Sequence, residues 1–131
     1  MNFQIINFQI HGDKRGSLIS LEQDKNIPFA IKRVYYIFGT KADVRRGFHS
    51  HKNLKQILIC VSGCCKILLD DGKEKKVIDL NSPQKGLLIN KNIWREMYDF
   101  SDDCVLMVLA NGIYEESDYI RDYQQFLESI K

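Results

Sequence analysis

Nothing in the 131 residues approaches the ~18–20 consecutive apolar side chains that a membrane-crossing helix needs; the longest apolar run, residues 104–110, has the length of a strand. No membrane association is expected. Charge of one sign is also missing. Nineteen Lys and Arg stand against seventeen Asp and Glu, a net charge of +2, too little for the basic face of a non-specific nucleic-acid binder. Residues 1–10 carry neither a basic n-region nor a small-residue cleavage site, so no secretory signal is expected and the chain reads as cytoplasmic. Cysteine is sparse: Cys60, Cys64, Cys65 and Cys104 form no Cys-x-x-Cys pair, which argues against a zinc knuckle or a thioredoxin-type site. Each lies in an apolar, strand-like stretch and is expected to be a buried, reduced thiol. There is no repeat, low-complexity tract or linker, and 44% hydrophobic with 27% charged residues excludes disorder. Residues 1–131 are expected to form one domain.

What is present is mostly strand. Residues 17–21, 31–38, 56–61, 64–69, 75–80, 86–89 and 104–110 are short runs rich in Ile, Val, Leu and aromatics. Turn signals separate them, at His11-Gly12-Asp13, Ser62-Gly63, Asp70-Asp71-Gly72, Ser82-Pro83 and Ser101-Asp102-Asp103. That rhythm predicts an all-β sandwich or barrel. Only the C-terminus differs: Tyr119, Ile120, Tyr123, Phe126, Leu127 and Ile130 recur at helical spacing, predicting one α-helix over residues 117–130 with Ser117 as its cap. Such a helix would pack outside the barrel. The apolar positions Phe3, Ile5, Phe8 and Ile10 could complete a partner's sheet and cover an exposed edge.

Of three histidines, two fall in Arg46-Gly47-Phe48-His49-Ser50-His51. On an extended strand His49 and His51 share a face, with Cβ atoms ~7 Å apart, while Phe48 points into the opposite layer. Two such imidazoles can bind a metal or share acid/base work, and each disfavours protonation of the other. The same alternation puts Arg33 and Tyr35 on one face, and an arginine pointing into a barrel is costly unless it meets an anion.

The segment Gly47-Phe48-His49-Ser50-His51, then Gln56, then Gly63, resembles the first cupin motif, with Gln56 standing where metal-binding cupins have a carboxylate. The stretch matching the second motif, residues 83–95, contains no histidine. Two imidazoles without a carboxylate make a poor divalent-ion site, so neither metal nor other cofactor is expected. Further segments extend the likeness: Asp13-Lys14-Arg15-Gly16-Ser17-Leu18, Asn26-Ile27-Pro28-Phe29, Ile31-Lys32-Arg33-Val34-Tyr35-Tyr36-Ile37, Leu69-Asp70-Asp71-Gly72, Trp94-Arg95-Glu96-Met97 and Asp118-Tyr119-Ile120-Arg121. Together they resemble, across essentially the whole chain, the small cupins that act as sugar 3,4-ketoisomerases on dTDP-4-oxo-6-deoxyglucose.

The resemblance implies a metal-free cupin double-stranded β-helix (jelly roll) with one C-terminal helix, assembled as a homodimer. It implies a dTDP-linked 4-oxo-6-deoxyhexose substrate whose ketone moves from C4 to C3, the product serving synthesis of a 3-amino-3,6-dideoxyhexose. By the same resemblance His49 and His51 are the catalytic pair. One would take the C3 proton and the other would act at oxygen, with Tyr35 as phenolic donor. Arg15, Arg33, Arg46, Arg95 and Arg121 with Gln56 are the substrate-binding candidates. Family members vary at the positions matching Arg15 and Arg95, where a Trp-His-Glu sequence is common and Trp94-Arg95-Glu96 stands here, so the C4 configuration of the product is left open. Two alternatives remain from the sequence: a related cupin 3,5-epimerase, and a non-catalytic nucleotide-sugar-binding cupin.

Overall fold

The computed structural model describes residues Met1–Lys131. The strands are β1 (Phe3–Asn7), β2 (His11–Asp13), β3 (Gly16–Leu18), β4 (Arg33–Phe38), β5 (Arg46–His51), β6 (Gln56–Ser62), β7 (Cys65–Asp70), β8 (Lys75–Leu80), β9 (Lys85–Ile89), β10 (Trp94–Tyr98), β11 (Val105–Ala110) and β12 (Tyr119–Ile120), followed by helix α1 (Tyr123–Ser129). All strand pairs are antiparallel. One five-stranded sheet runs β1-β9-β6-β11-β4, the other β12-β5-β10-β7-β8, and β2-β3 form a separate hairpin. Strands adjacent in sequence mostly lie in different positions or different sheets, the winding of a cupin-like jelly roll. No helix is long and apolar enough to cross a membrane.

The burial pattern explains the layering. Along β6, Leu58 and Cys60 enter the core between the sheets, while Ile57 and Ile59 join a second cluster with Phe8, Ile27 and Phe29. This strand is apolar on both faces because both faces are covered. Each such side chain, fully buried, is worth ~1.5–3 kcal/mol. β4 alternates instead: Arg33, Tyr35 and Ile37 are half-buried, and Val34, Tyr36 and Phe38 are exposed.

Several elements depart from the sequence reading. The expected helix over residues 117–130 is shorter. Glu116–Asp118 form a 3-10 turn and Tyr119–Ile120 a strand, before α1 starts under the side-chain cap of Asp122, whose Oδ1 accepts from the Gln125 N–H at 2.9 Å. Pairing of Tyr119 and Ile120 with His51 and Ser50 of β5 takes these residues out of the helix, so Ser117 caps nothing. The helix does cover the outside of the sheet, where Phe126 packs with Trp94 and Ile120. The N-terminal segment pairs within its own chain, Phe3 with Ile89 through Asn7 with Lys85. Residues 11–13 form a strand rather than a turn, and residues 94–98 form the unanticipated β10. Cys64 is exposed in the turn before β7, whereas Cys60, Cys65 and Cys104 are buried as expected.

The most consequential departure lies in β5. Its register against β10 shifts, Arg95 pairing with His49 but Glu96 with Gly47. Phe48 is the extra residue of this bulge; with φ 54° it is 43% exposed and does not enter the opposite layer. Gly47 sits at φ 94°, and a Cβ there would stand 2.9 Å from the Arg95 carbonyl oxygen. Gly47→Ala should therefore cost ~1–3 kcal/mol by strain and close contact, read as a lowered melting temperature. A variant as stable as the parent would show that the bulge tolerates a side chain.

Candidate active site

The bulge turns His49 inward beside Arg95, and β12 brings Tyr119 alongside His51. The imidazoles stand edge to face with centroids 4.9 Å apart, and the Tyr119 ring lies 5.0 Å from His49 and 4.4 Å from His51. Each imidazole is oriented through its Nδ1. His49 Nδ1 donates to the Gly47 carbonyl at 3.1 Å, and His51 Nδ1 to Asp118 Oδ2 at 3.0 Å. A carbonyl or carboxylate oxygen can only accept, so both hydrogens sit on Nδ1 and both Nε2 atoms keep a lone pair. His51 Nε2 is buried without a partner. Asp118 is fixed in turn by the backbone N–H groups of Asn53 (2.9 Å) and Leu54 (3.3 Å).

Opposite the histidines lies a chain of hydrogen bonds. Arg95 Nη1 donates to Gln56 Oε1 at 2.7 Å, Arg95 Nη2 to the Ile93 carbonyl at 2.9 Å, and Gln56 Nε2 to the Tyr35 hydroxyl at 3.2 Å. Because Tyr35 accepts from Gln56, its own O–H is free to donate elsewhere. Burial, the largest influence, pushes the phenol pKa up, so it remains protonated. The Arg33 guanidinium stacks 4.5 Å from the Tyr35 ring centroid and 5.3 Å from that of Tyr114. Arg33 Nη1, Arg95 Nε and Ser50 Oγ are buried without partners, which suits an anionic, hydroxyl-bearing ligand.

The sequence candidates thus divide. His49, His51, Tyr35, Arg33, Gln56 and Arg95 come together, although both ends of the Gln56 amide are engaged with Arg95 and Tyr35, giving it an orienting rather than a free ligand-binding position. Arg121 stands at the rim, stacked 4.2 Å from the Tyr119 ring and paired with Glu116. Arg15 does not join them. It is 85% exposed on the β2-β3 hairpin, bound to Asp13. Arg46 is exposed at the start of β5, while its neighbour Arg45 pairs with Glu96 at 2.7 Å. The sequence reading missed Asp118, Tyr119 and Ser50. Ser50 lay between the histidines in plain view, but Asp118 and Tyr119 were hidden inside a presumed helix.

Burial first, then the positive charge of Arg95, hold the His49 pKa down to about 4 and that of His51 down to about 2. The His51–Asp118 contact is therefore a hydrogen bond from a neutral imidazole, not an ion pair, at neutral pH. Arg95 itself is lowered to about 10 by burial and stays charged.

Residues 1–131 match the family model described as "FdtA: WxcM-like, C-terminal". The chain is 53% identical over 130 residues to TDP-4-oxo-6-deoxy-alpha-D-glucose-3,4-oxoisomerase from Aneurinibacillus thermoaerophilus, covering 99% of this chain and 94% of the relative. A 3,4-ketoisomerase structure from Helicobacter canadensis superposes with a TM-score of 0.97 at 53% identity, over 99% of this chain and 98% of that one. A histidine-to-asparagine mutant of the Thermoanaerobacterium thermosaccharolyticum 3,4-ketoisomerase, in complex with TDP-4-keto-6-deoxyglucose, does so at 0.97 and 47% identity, over 98% and 94% of the two chains. A 3'-monoepimerase from Streptomyces bikiniensis, 15% identical at a TM-score of 0.78 over 89% of this chain and 67% of that one, shares the fold alone.

The lowered imidazole pKa values make stability pH-dependent with a defined sign. Above the unfolded value of ~6.5 both states hold neutral histidines. Below it the unfolded chain gains protons while the folded chain resists, so stability falls as pH drops from ~6.5 toward the folded values of about 4 and 2. The slope reaches ~1.4 kcal/mol per pH unit for each histidine. Denaturant titrations from pH 7 to 4.5 should show the loss, and His51→Gln should reduce its slope. Equal slopes in parent and variant would contradict a neutral buried pair.

Proposed function

This chain belongs to the FdtA family and is a sugar-nucleotide 3,4-ketoisomerase, and from that premise we propose that it converts dTDP-4-oxo-6-deoxy-D-glucose to the dTDP-3-oxo-6-deoxyhexose by proton transfers between His49, His51 and the sugar. One observation carries the proposal: two buried imidazoles with Nδ1–H fixed on protein acceptors keep their Nε2 atoms unprotonated, in a site that also holds the unpartnered Arg33 Nη1 and Arg95 Nε. One Nε2 removes the C3 proton while the C4 carbonyl oxygen takes a proton, giving an enediol. Loss of the proton on the C3 oxygen and delivery of a proton to C4 complete the exchange. No net oxidation occurs.

Tyr35, with its O–H free, is suited to donate to the C4 oxygen as negative charge develops there, and Arg95 stabilises the enediolate electrostatically. Arg33, half-buried with its Nη1 unpartnered, has a free donor for the diphosphate, and Arg121 can join it by exchanging Glu116 for phosphate. A bound diphosphate would offset the positive field on the imidazoles and raise their basicity toward the working pH. Arg15 and Arg46 would reach the ligand only through movement or through a second subunit. The crystallised complex of a relative's histidine mutant with TDP-4-keto-6-deoxyglucose supports histidine as the reacting group.

Replacing His49 or His51 by Asn should lower turnover by ~10²–10⁴, the usual worth of a positioned acid/base group, with nucleotide affinity largely kept. The double variant should lose far less than the product of the single losses. Proton NMR of the sugar in deuterated water reads both isomerisation and exchange at C3. A protein lacking both histidines that still exchanges C3 at the parental rate would exclude them as the base.

A homodimer and a cytoplasmic location fit this role. The dimer is supported by the outer face of β4, an edge strand on which Val34, Tyr36 and Phe38 are 54%, 63% and 68% exposed. Beside it an apolar groove of about 340 Å³ is lined by Ile10, Ile19, Leu21, Ile59, Val61 and Met107, among others. Contiguous apolar surface of this kind marks association. Tyr36→Glu with Phe38→Glu should shift the light-scattering mass from dimer to monomer at micromolar concentration; a parent already monomeric there would refute the assembly.

A further inference from the structure

At the end of the barrel remote from the histidines, three of the four cysteines converge. Cys60 comes from β6, Cys65 from the start of β7, and Cys104 from the residue before β11. Their Sγ atoms stand 3.5 Å (Cys60–Cys65) and 3.8 Å (Cys60–Cys104) apart, all three within 4.8 Å of one another. Gln56 begins the same strand four residues before Cys60, so the cluster lies ~13 Å along β6 from the isomerase site. Isomerisation has no use for it.

We propose that Cys60, Cys65 and Cys104 form a three-thiol binding site for a trivalent thiophilic species of the arsenite class. The spacing suits a single centre: three sulfurs each ~2.3 Å from one atom, the usual thiolate bond length, lie ~3.5–4 Å apart. The surroundings choose the charge. The thiols pack in the apolar core with Leu58, Ile67, Leu80, Phe100 and Leu106, and no lysine, arginine or histidine bonds to them. An ion that left net charge there would be strongly disfavoured. Burial pushes the Cys104 pKa up to about 12, and the hydrogen bond to Cys60 holds Cys65 above its ordinary value, whereas Cys60 is lowered by accepting from Cys65. Zinc takes four ligands and would leave charge unbalanced on three thiolates. A trivalent centre is saturated by three sulfurs and is neutral with them.

The exchange balances without a redox partner. Arsenous acid, As(OH)₃, meets three thiols; three As–O bonds break and three As–S bonds form. Each thiol proton leaves with one hydroxide as water, and arsenic stays trivalent throughout. The cluster lies close to the surface on one side, where Cys64, Cys65, Lys66, Asp79, Asn81 and Asp99 line a cleft of about 240 Å³. The Cys65 side chain itself is buried, so entry needs a local opening of the start of β7. An uncharged solute enters such a cleft without repulsion from its two carboxylates. Ligation would tie β6, β7 and the start of β11 together and so stabilise the folded state.

The test uses the full chain, kept reduced with a phosphine, and sodium arsenite as probe. Native mass spectrometry should show one arsenic in place of three hydrogens, and X-ray absorption should show three sulfur neighbours and no oxygen. The melting temperature should rise with arsenite concentration. Cys64→Ser should bind as the parent does, while Cys104→Ser and Cys65→Ala should each lose at least tenfold in affinity. Zinc should bind at least tenfold more weakly than arsenite. The X-ray absorption measurement on the parent protein needs no variant to fold. Arsenic held by fewer than three sulfurs, retained undiminished in Cys104→Ser, lost in Cys64→Ser or bound more weakly than zinc would overturn the assignment.

Discussion

A guanidinium with no solvent exposure, that of Arg95, is the constraint on which the site depends. Moving such a charge out of water costs several kcal/mol unless hydrogen bonds replace the lost solvent. β10 carries it between β5 and β7, and the fold supplies Gln56 Oε1 and the Ile93 carbonyl as acceptors, leaving Nε unpartnered. Neither acceptor is charged. The positive field is therefore not cancelled, and it reaches the groups that matter: it helps keep both imidazoles neutral, and through Gln56 it fixes the direction in which Tyr35 can donate. A carboxylate at position 56 would have neutralised the arginine and drawn a proton or a metal toward the histidines.

The histidines are held from behind by acceptors of different strength. A backbone carbonyl orients His49, and a carboxylate, itself fixed by two backbone N–H groups, orients His51. The protonated form is also disfavoured more strongly at one ring than at the other, His51 being held down to about 2 and His49 to about 4. The pair is thus asymmetric in spite of its symmetric sequence, which suits a reaction that moves protons between two carbons and two oxygens. Tyr119 covers both rings and limits the water that reaches them.

Charge and chemistry gather at one end of the barrel, where β4, β6 and β10 begin and β5 and β11 end. The opposite end holds the thiols, and the outer face of the β4 sheet carries apolar side chains that no element of the chain covers. These regions can therefore answer to different ligands. The strands between them are long enough to separate the sites and rigid enough to keep each in place.

Much of this was legible in the residues. Alternation on β4 put Arg33 and Tyr35 on one face, the His-x-His spacing named the imidazole pair, and the turn residues marked most strand ends correctly. The segments shared with the ketoisomerases identified the chemistry. What the sequence could not express was pairing across distance. Tyr119 and Ile120 satisfy a helical period and a strand equally well, and only the open edge of β5 decided for the strand, bringing Asp118 to His51 across 67 positions. The bulge at Phe48 is likewise invisible to a strict two-residue alternation, because it exists only relative to the register of β10. Local spacing determines which side chains can share a face; which groups meet is decided by hydrogen-bond partners that folding alone brings within reach.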